Sequence, residues 1–211
     1  DDGFDTQVIP LNGTVEQFKA AGWSLSGFTN NFAFEKDELR FRSNLPDKDS
    51  TRAGINTTAP IIGDCEVTLD YCDLVFVPVK DGWGQKVSLT VTMDDPMRSQ
   101  VECGMQDTGN GSPEFLSKMI RKSIATGENT YHNTITRRGV RTSGRLRIVR
   151  SGEEVICHFA EAGSNTFLPF NAFTVGAYPI KEIGVFTYRS DLQGYVDLKL
   201  KSLTVRVPSP E

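Results

Sequence analysis

Along most of this chain apolar residues recur at every second position, and the period changes in only a few short stretches. Val87, Leu89, Val91 and Met93 alternate with Ser88, Thr90 and Thr92, the pattern of a strand with one face buried and one face turned out. Glu66 to Tyr71 repeats it, with Val67, Leu69 and Tyr71 inward. The fullest version runs from Thr142 to Phe167. Two alternating runs flank Ser151-Gly152-Glu153, with Leu146 and Ile148 on one face of the first and Arg145 and Arg147 on the other. Val155, Cys157 and Phe159 share a face of the second. Gly152 supplies the permissive backbone a tight turn needs, so the segment predicts a β-hairpin, with Arg150 placed in its turn.

The remaining segments fill in around these. Phe32-Ala33-Phe34, Leu39 to Arg42, Phe173 to Val175 and Ile183 to Tyr188 read as strands, and Tyr195 to Val207 as a long one packing Val196, Leu198 and Leu200 on one side. Val15 to Ala21 predicts one or two helical turns ahead of Gly22-Trp23. Pro46 to Thr58 is polar and turn-rich and reads as a surface loop. Ser112 to Ile124 fits two patterns. Ser112 and Pro113 can open a helix, with Leu116, Ile120 and Ile124 at helical spacing. Thr126-Gly127-Glu128-Asn129 reads instead as a turn into the run Thr130 to Thr136, and the hairpin is preferred.

Composition narrows the class without choosing a chemistry. A chain of 211 residues with 38% hydrophobic and 24% charged residues is sufficient for one well-buried core, and no repeat or linker divides it, so residues 1–211 read as a single domain. Its net charge of −4 argues against a nucleic-acid partner. No apolar run approaches the roughly 20 residues of a membrane-spanning helix, so membrane insertion is not expected. The start at Asp1-Asp2-Gly3 fits a cleaved signal peptide or a trimmed chain. Cys65, Cys103 and Cys157 lie on the apolar parity of their strands and read as buried thiols; a disulfide among the four cysteines, Cys72 included, is the alternative, with three pairings if all are bridged.

About a dozen β segments with almost no helix predict an all-β, two-sheet antiparallel sandwich or jelly roll. The succession Gly22-Trp23, Gly54-Ile55-Asn56-Thr57, Gly63-Asp64-Cys65-Glu66-Val67-Thr68-Leu69, Gly82-Trp83-Gly84, Ser143 to Gly152 and Leu198 to Val207 resembles the concanavalin A-like lectin/glucanase jelly roll. More narrowly it resembles a mostly planctomycete family known only as a domain of unknown function, over roughly residues 20–207. One departure is Cys65, where such modules place a large aromatic. The resemblance implies the fold more than an activity, because that fold carries lectins, glycosidases, laminin-G-type modules and adhesins.

Candidate chemistry is sparse. Glycosidases on this fold use paired carboxylates, and Glu66 and Asp70 share a strand face with backbones ~13 Å apart. The resemblance implies a Glu-x-Asp-x-Glu motif, and this chain has Glu66-Val67-Thr68-Leu69-Asp70 instead, so a solvated or ion-paired face is the expectation. His132 and His158 have no ligand-spaced partner for zinc. Related jelly rolls hold a structural calcium through an Asp of the last strand, which implies Asp197 as its nearest match; an exposed strand aspartate is the alternative. The arginines Arg137, Arg138, Arg141, Arg145, Arg147 and Arg150 can bind acidic polysaccharide or pair with carboxylates. Trp83, flanked by glycines, is the best stacking residue, and Trp23 reads as core.

The expectation is therefore a non-catalytic, exported carbohydrate-binding or adhesion module, extracellular or periplasmic. Its contacts would be Trp83, Tyr131, His132 and Arg147, and its partner a polysaccharide or cell-surface glycan. A divergent glycoside hydrolase or lyase using Glu66 and Asp70 is the second expectation. A structural module of a larger surface protein is the third. No cofactor is expected beyond a structural calcium.

Overall fold

The computed structural model describes residues 3–11, 13–27, 32–35, 38–42, 52–57, 60–77, 84–108, 113–138, 142–189 and 196–209, with the backbone only at 137, 138 and 189. In chain order the elements are β1 (Phe4–Val8), α1 (Val15–Ala20), β2 (Trp23–Ser26), β3 (Phe32–Glu35), β4 (Glu38–Arg42), β5 (Arg52–Thr57), β6 (Cys65–Phe76) and β7 (Gln85–Met93). There follow β8 (Gln100–Asp107), β9 (Glu114–Lys122), β10 (Asn129–Arg138), β11 (Gly144–Ser151), β12 (Glu154–Glu161), β13 (Leu168–Thr174), β14 (Ile180–Arg189) and β15 (Val196–Pro208).

These strands form two antiparallel sheets. One has the order β13-β12-β11-β6-β15-β4-β3, with β1 also on β15, and the other the order β10-β9-β8-β7-β14-β5-β2. Alternation explains the packing between them. Val67, Leu69 and Tyr71, Leu146 and Ile148, and Val155 and Cys157 of the first sheet are buried with Val87, Leu89, Val91 and Met93, Val101 and Met105, and Ile183 and Val185 of the second in one core cluster. The β11–β12 hairpin pairs Gly144 with Glu161 through Ser151 with Glu154. In β15 the buried parity changes from Val196, Leu198 and Leu200 to Leu203 and Val205, because a register shift against β6 falls between Leu200 and Ser202; such a bulge inserts the one residue that reverses which side points in.

The helix reading for Val15 to Ala21 is met by α1, whose Thr14 and Gln17 form a capping box. Phe18 anchors it against Trp23, at a ring separation of 6.1 Å, so Trp23 is core. The hairpin reading for 112–136 is met by β9 and β10, with Ser112 itself outside the described residues. Two expectations are corrected. Arg52–Thr57, read within a loop, is the interior strand β5 between β14 and β2; Gly54 and the polar ends hid a short strand whose centre is wholly buried. Arg150, read in the hairpin turn, lies within β11, paired with Val155, and is only 4% exposed, its Nε donating to the Gly152 carbonyl. All four cysteines are free thiols. Cys103 and Cys157 face each other across the sandwich, each Sγ donating to a carbonyl of the other sheet, His158 and Glu102 respectively.

Candidate functional site

The residues singled out from the sequence divide between opposite outer faces of the sandwich. Glu66, Asp70 and Arg147 lie on the outer face of the larger sheet. Arg147 donates to Thr68 Oγ1 at 3.0 Å and pairs with Glu66 at 3.3 Å, with its guanidinium 3.5 Å from the centre of the Phe167 ring. Glu66 also pairs with Arg206 at 3.4 Å. Partial burial raises the Asp70 carboxyl above its ordinary range, opposed by Arg145 and Lys201. Glu66 thus sits in an ion-paired cluster with Arg147 and Arg206 on this face. On the same sheet Asp197 is clasped by Arg40, through Nε at 2.9 Å and Nη2 at 2.8 Å, and by Arg42 at 3.2 Å. Both of its carboxylate oxygens therefore serve guanidiniums. No group of three or more His, Cys, Asp and Glu among the described residues could hold a metal ion.

Tyr131 and His132 lie on β10 of the other sheet, and alternation separates them. Tyr131 pairs with Ile120 and His132 with Met119, so only Tyr131 shares the outer face. His132 Nε2 lies 3.0 Å from Thr130 Oγ1. Trp83 and Arg141, and the side chains of Arg137 and Arg138, lie outside the described residues.

The outer face of this smaller sheet carries a groove of about 540 Å³, within the size range of small-ligand sites. Beneath its two lysines lies Glu102 of β8, buried although its strand parity points it away from the core. Lys118 of β9 is its direct register partner and brings Nζ to 3.5 Å from Oε2. Lys86 of β7 stands opposite Gln106 rather than Glu102, so its stem runs along the face, past Ser88 and Gly104, to bring Nζ to 2.6 Å from the same oxygen. Gly104 offers no side chain to obstruct it. Burial holds the Lys86 ammonium below its ordinary range, against the opposing pull of Glu102. Each lysine also approaches a tyrosine, Lys86 with Tyr188 at 5.7 Å and Lys118 with Tyr131 at 5.0 Å, both within cation–π reach. The contacts run Tyr188, Lys86, Glu102, Lys118, Tyr131 across β14, β7, β8, β9 and β10. Tyr131 is 60% exposed. Gln85 lines the same groove; its Nε2 donates to the Val77 carbonyl, and its buried Oε1 has no partner among the described residues.

Beyond Tyr188 the face continues over β14 and β5. A Cβ on Gly184 would lie 2.2 Å from Phe186 Cε2 and one on Gly54 2.3 Å from Phe186 Cδ1, so the Phe186 ring lies flat on two glycines. Arg52 stacks on that ring at 3.6 Å. Farther along, Ser24 Oγ donates to Asn56 Oδ1 at 3.1 Å, and Asn56 Nδ2 to Glu182 Oε2 at 3.1 Å.

Sequence reasoning reached Tyr131 and missed Lys86, Glu102, Lys118 and Tyr188. Their signal was weak: each is a charged or amphipathic residue on the outward parity of an apolar strand, the ordinary pattern of a solvated face. Only the placement of β14 beside β7 brings Tyr188 to the others.

The structure is similar to that of a legume lectin-like domain from Entamoeba histolytica, with a TM-score of 0.64 at 10% identity over 94% of this chain and 95% of that one. It is similar to a VIP36 exoplasmic/lumenal domain in a Ca2+/Man3GlcNAc-bound form, with a TM-score of 0.57 at 14% identity over 90% of this chain and 86% of that one. The Crh5 transglycosylase in complex with NAG gives a TM-score of 0.66 at 12% identity over 97% of this chain and 85% of that one. At such identities the likeness shows the fold, a concanavalin-like lectin sandwich. No curated protein matches the sequence. A family model described as "Protein of unknown function (DUF1583) C domain" matches residues 17–208.

Proposed function

The chain belongs to the DUF1583 C-domain family, and from that premise and its lectin-type sandwich we propose a non-catalytic carbohydrate-binding or adhesion module acting outside the cytoplasm. The observation that carries this reading is the groove in which Tyr188 and Tyr131 flank the Lys86–Glu102–Lys118 cluster. Tyrosine rings present an apolar face with a polar tip, suited to the C–H face of a sugar. Ammonium groups and the Gln106 amide beside them supply donors and acceptors for hydroxyls. Two fold neighbours described with sugars bound, Man3GlcNAc in one and NAG in the other, support the same reading.

Hydrolysis has less support. Glu66 and Asp70 lie on the face opposite the groove, and Glu66 is engaged by two arginines. Beneath the groove Glu102 has both lysines on one oxygen, the arrangement of a structural ion pair. A structural calcium at Asp197 would have to displace Arg40 and Arg42. The test is affinity electrophoresis against neutral and acidic polysaccharides, with wild type, Tyr131→Ala and Tyr188→Ala compared. Retardation that both variants weaken supports the reading. No retardation by any polysaccharide, or retardation both variants leave intact, overturns it. Export is tested separately by fractionating cells of the source organism.

A further inference from the structure

The two lysines are more than Glu102 requires. One carboxylate balances one ammonium, yet Lys86 and Lys118 both contact the same Glu102 oxygen, at 2.6 and 3.5 Å. Among the described residues that line the groove, these two carry the only formal charges. The carboxylate beneath them leaves an excess of one positive charge in a partly dehydrated cleft. Each ammonium has three N–H donors, and the tyrosine faces beside it accept weakly through their π clouds. The other acidic groups on this outer face accept from neutral amides, Glu182 from Asn56 and Glu114 from Gln106 at 3.3 Å, whereas the ion pairs of Lys86 and Lys118 are with Glu102. Arg52, stacked on Phe186 at 3.6 Å, adds a third cation to the face beyond Tyr188.

We propose that this groove selects anionic sugars, rings bearing a carboxylate or sulfate, seating the anion on the outer side of the Lys86–Lys118 pair with adjoining ring faces on Tyr131 and Tyr188. The inference rests on the carbohydrate-binding reading and adds the ligand class. A neutral hydroxyl can use the same N–H donors but leaves the excess charge and the lysine–lysine repulsion in place. An incoming anion relieves both. Charge-assisted bonds in a partly buried site are the stronger kind. The opposite face holds the same two-to-one ratio, Arg147 and Arg206 on Glu66, but Arg147 is also committed to Thr68 Oγ1 and to the Phe167 ring, so the selectivity is assigned to the lysine groove and Arg147→Met is its control.

The experiment compares polymers that differ only in charge: polygalacturonate with its full methyl ester, and dextran sulfate with dextran, by isothermal titration at low and at moderate salt. The expected result is at least tenfold tighter binding to one acidic member than to its neutral partner, weakening with salt. Lys118→Met should remove that preference, Lys118→Arg restore most of it, and Arg147→Met leave it unchanged. Tyr131→Ala, at the sheet edge, should weaken both members of a pair alike. Preference for polygalacturonate alone or dextran sulfate alone supports the proposal and identifies the anion. Equal affinity within both pairs overturns the anionic selection while leaving the carbohydrate reading standing. Absence of binding to all four overturns both. A preference lost in Arg147→Met and kept in Lys118→Met assigns it to the other face and overturns this site.

Discussion

Replacing Glu102 with Gln keeps its shape and removes the one negative charge between two ammoniums. Glu102 is only 7% exposed in its side chain, against 20% for Lys86 and 16% for Lys118. Breaking a fully buried ion pair costs about 3–5 kcal/mol. The lysine stems are long enough to carry their heads toward water, and that escape reduces the expected loss to about 1–3 kcal/mol. For a chain of this length the corresponding fall in Tm is roughly 2–12 °C. Titration supplies a second signature. Burial already holds the folded Lys86 pKa below its ordinary 10.5, so just below that pH the unfolded chain binds more protons and this group's contribution to stability rises with pH. Without Glu102 the folded pKa falls further, so the rise begins at lower pH and is larger. The gap between wild type and Glu102→Gln must therefore narrow from pH 7 to pH 10, while the thiols, which titrate in both proteins, cancel in the difference. Urea unfolding of the two proteins across that range measures it. A Tm unchanged at pH 7, or a gap that widens with pH, refutes the reasoning.

Three further outcomes follow from described contacts. Burial pushes the Cys65 thiol from 9.0 to about 11, so its stabilising contribution is whole below pH 9 and is lost as pH rises toward 11, about 2–3 kcal/mol in full; Cys65→Ala should flatten the wild-type decline between pH 8 and 10, and an unchanged slope would falsify the assignment. Gly184→Ala should cost about 1–3 kcal/mol in denaturant unfolding by lifting the Phe186 ring, and the cost should largely vanish in a Phe186→Ala background; a persistent cost shows that the ring is not the obstacle. Calcium at millimolar concentration should leave the Tm of the metal-stripped protein unchanged, because Arg40 and Arg42 occupy Asp197, whereas Asp197→Asn should lower stability by about 1–2 kcal/mol; a calcium-dependent rise in Tm contradicts that account.

The sandwich was legible because burial and strand alternation leave the same mark. Leu146, Ile148, Val155 and Cys157 declared their face by parity alone, and the structure buries all of them. The β5 segment was illegible for the converse reason: Arg52-Ala-Gly-Ile-Asn-Thr has a single large apolar residue, and it is buried by its neighbours β14 and β2 rather than by its own pattern. Arg150 misled because a guanidinium beside a Gly turn ordinarily faces water. The candidate site was hidden more deeply. A Lys, a Glu and a Lys on outward positions of successive strands are indistinguishable from solvated residues until register sets Glu102 opposite Lys118 and lets Lys86 reach along the face. Tyr188 enters only through a pairing between strands far apart in the chain.

The connectivity of β15 has a consequence for how the protein is made. This one strand pairs with β6 along most of its length, with β4 over Asp197–Leu200 and with β1 over Thr204–Pro208. It therefore joins segments synthesised long before it, and non-local pairings of this kind are slow to form. Strands β7 to β10, which hold Lys86, Glu102, Lys118 and Tyr131, are by contrast a consecutive meander that can zip locally. During synthesis the charged half of the groove can take shape while the larger sheet still lacks its spine and leaves Val67, Leu69 and their neighbours uncovered. The interval before β15 docks is when the nascent domain is most exposed to aggregation, and its length, set by translation speed, is a property on which the yield of folded protein depends.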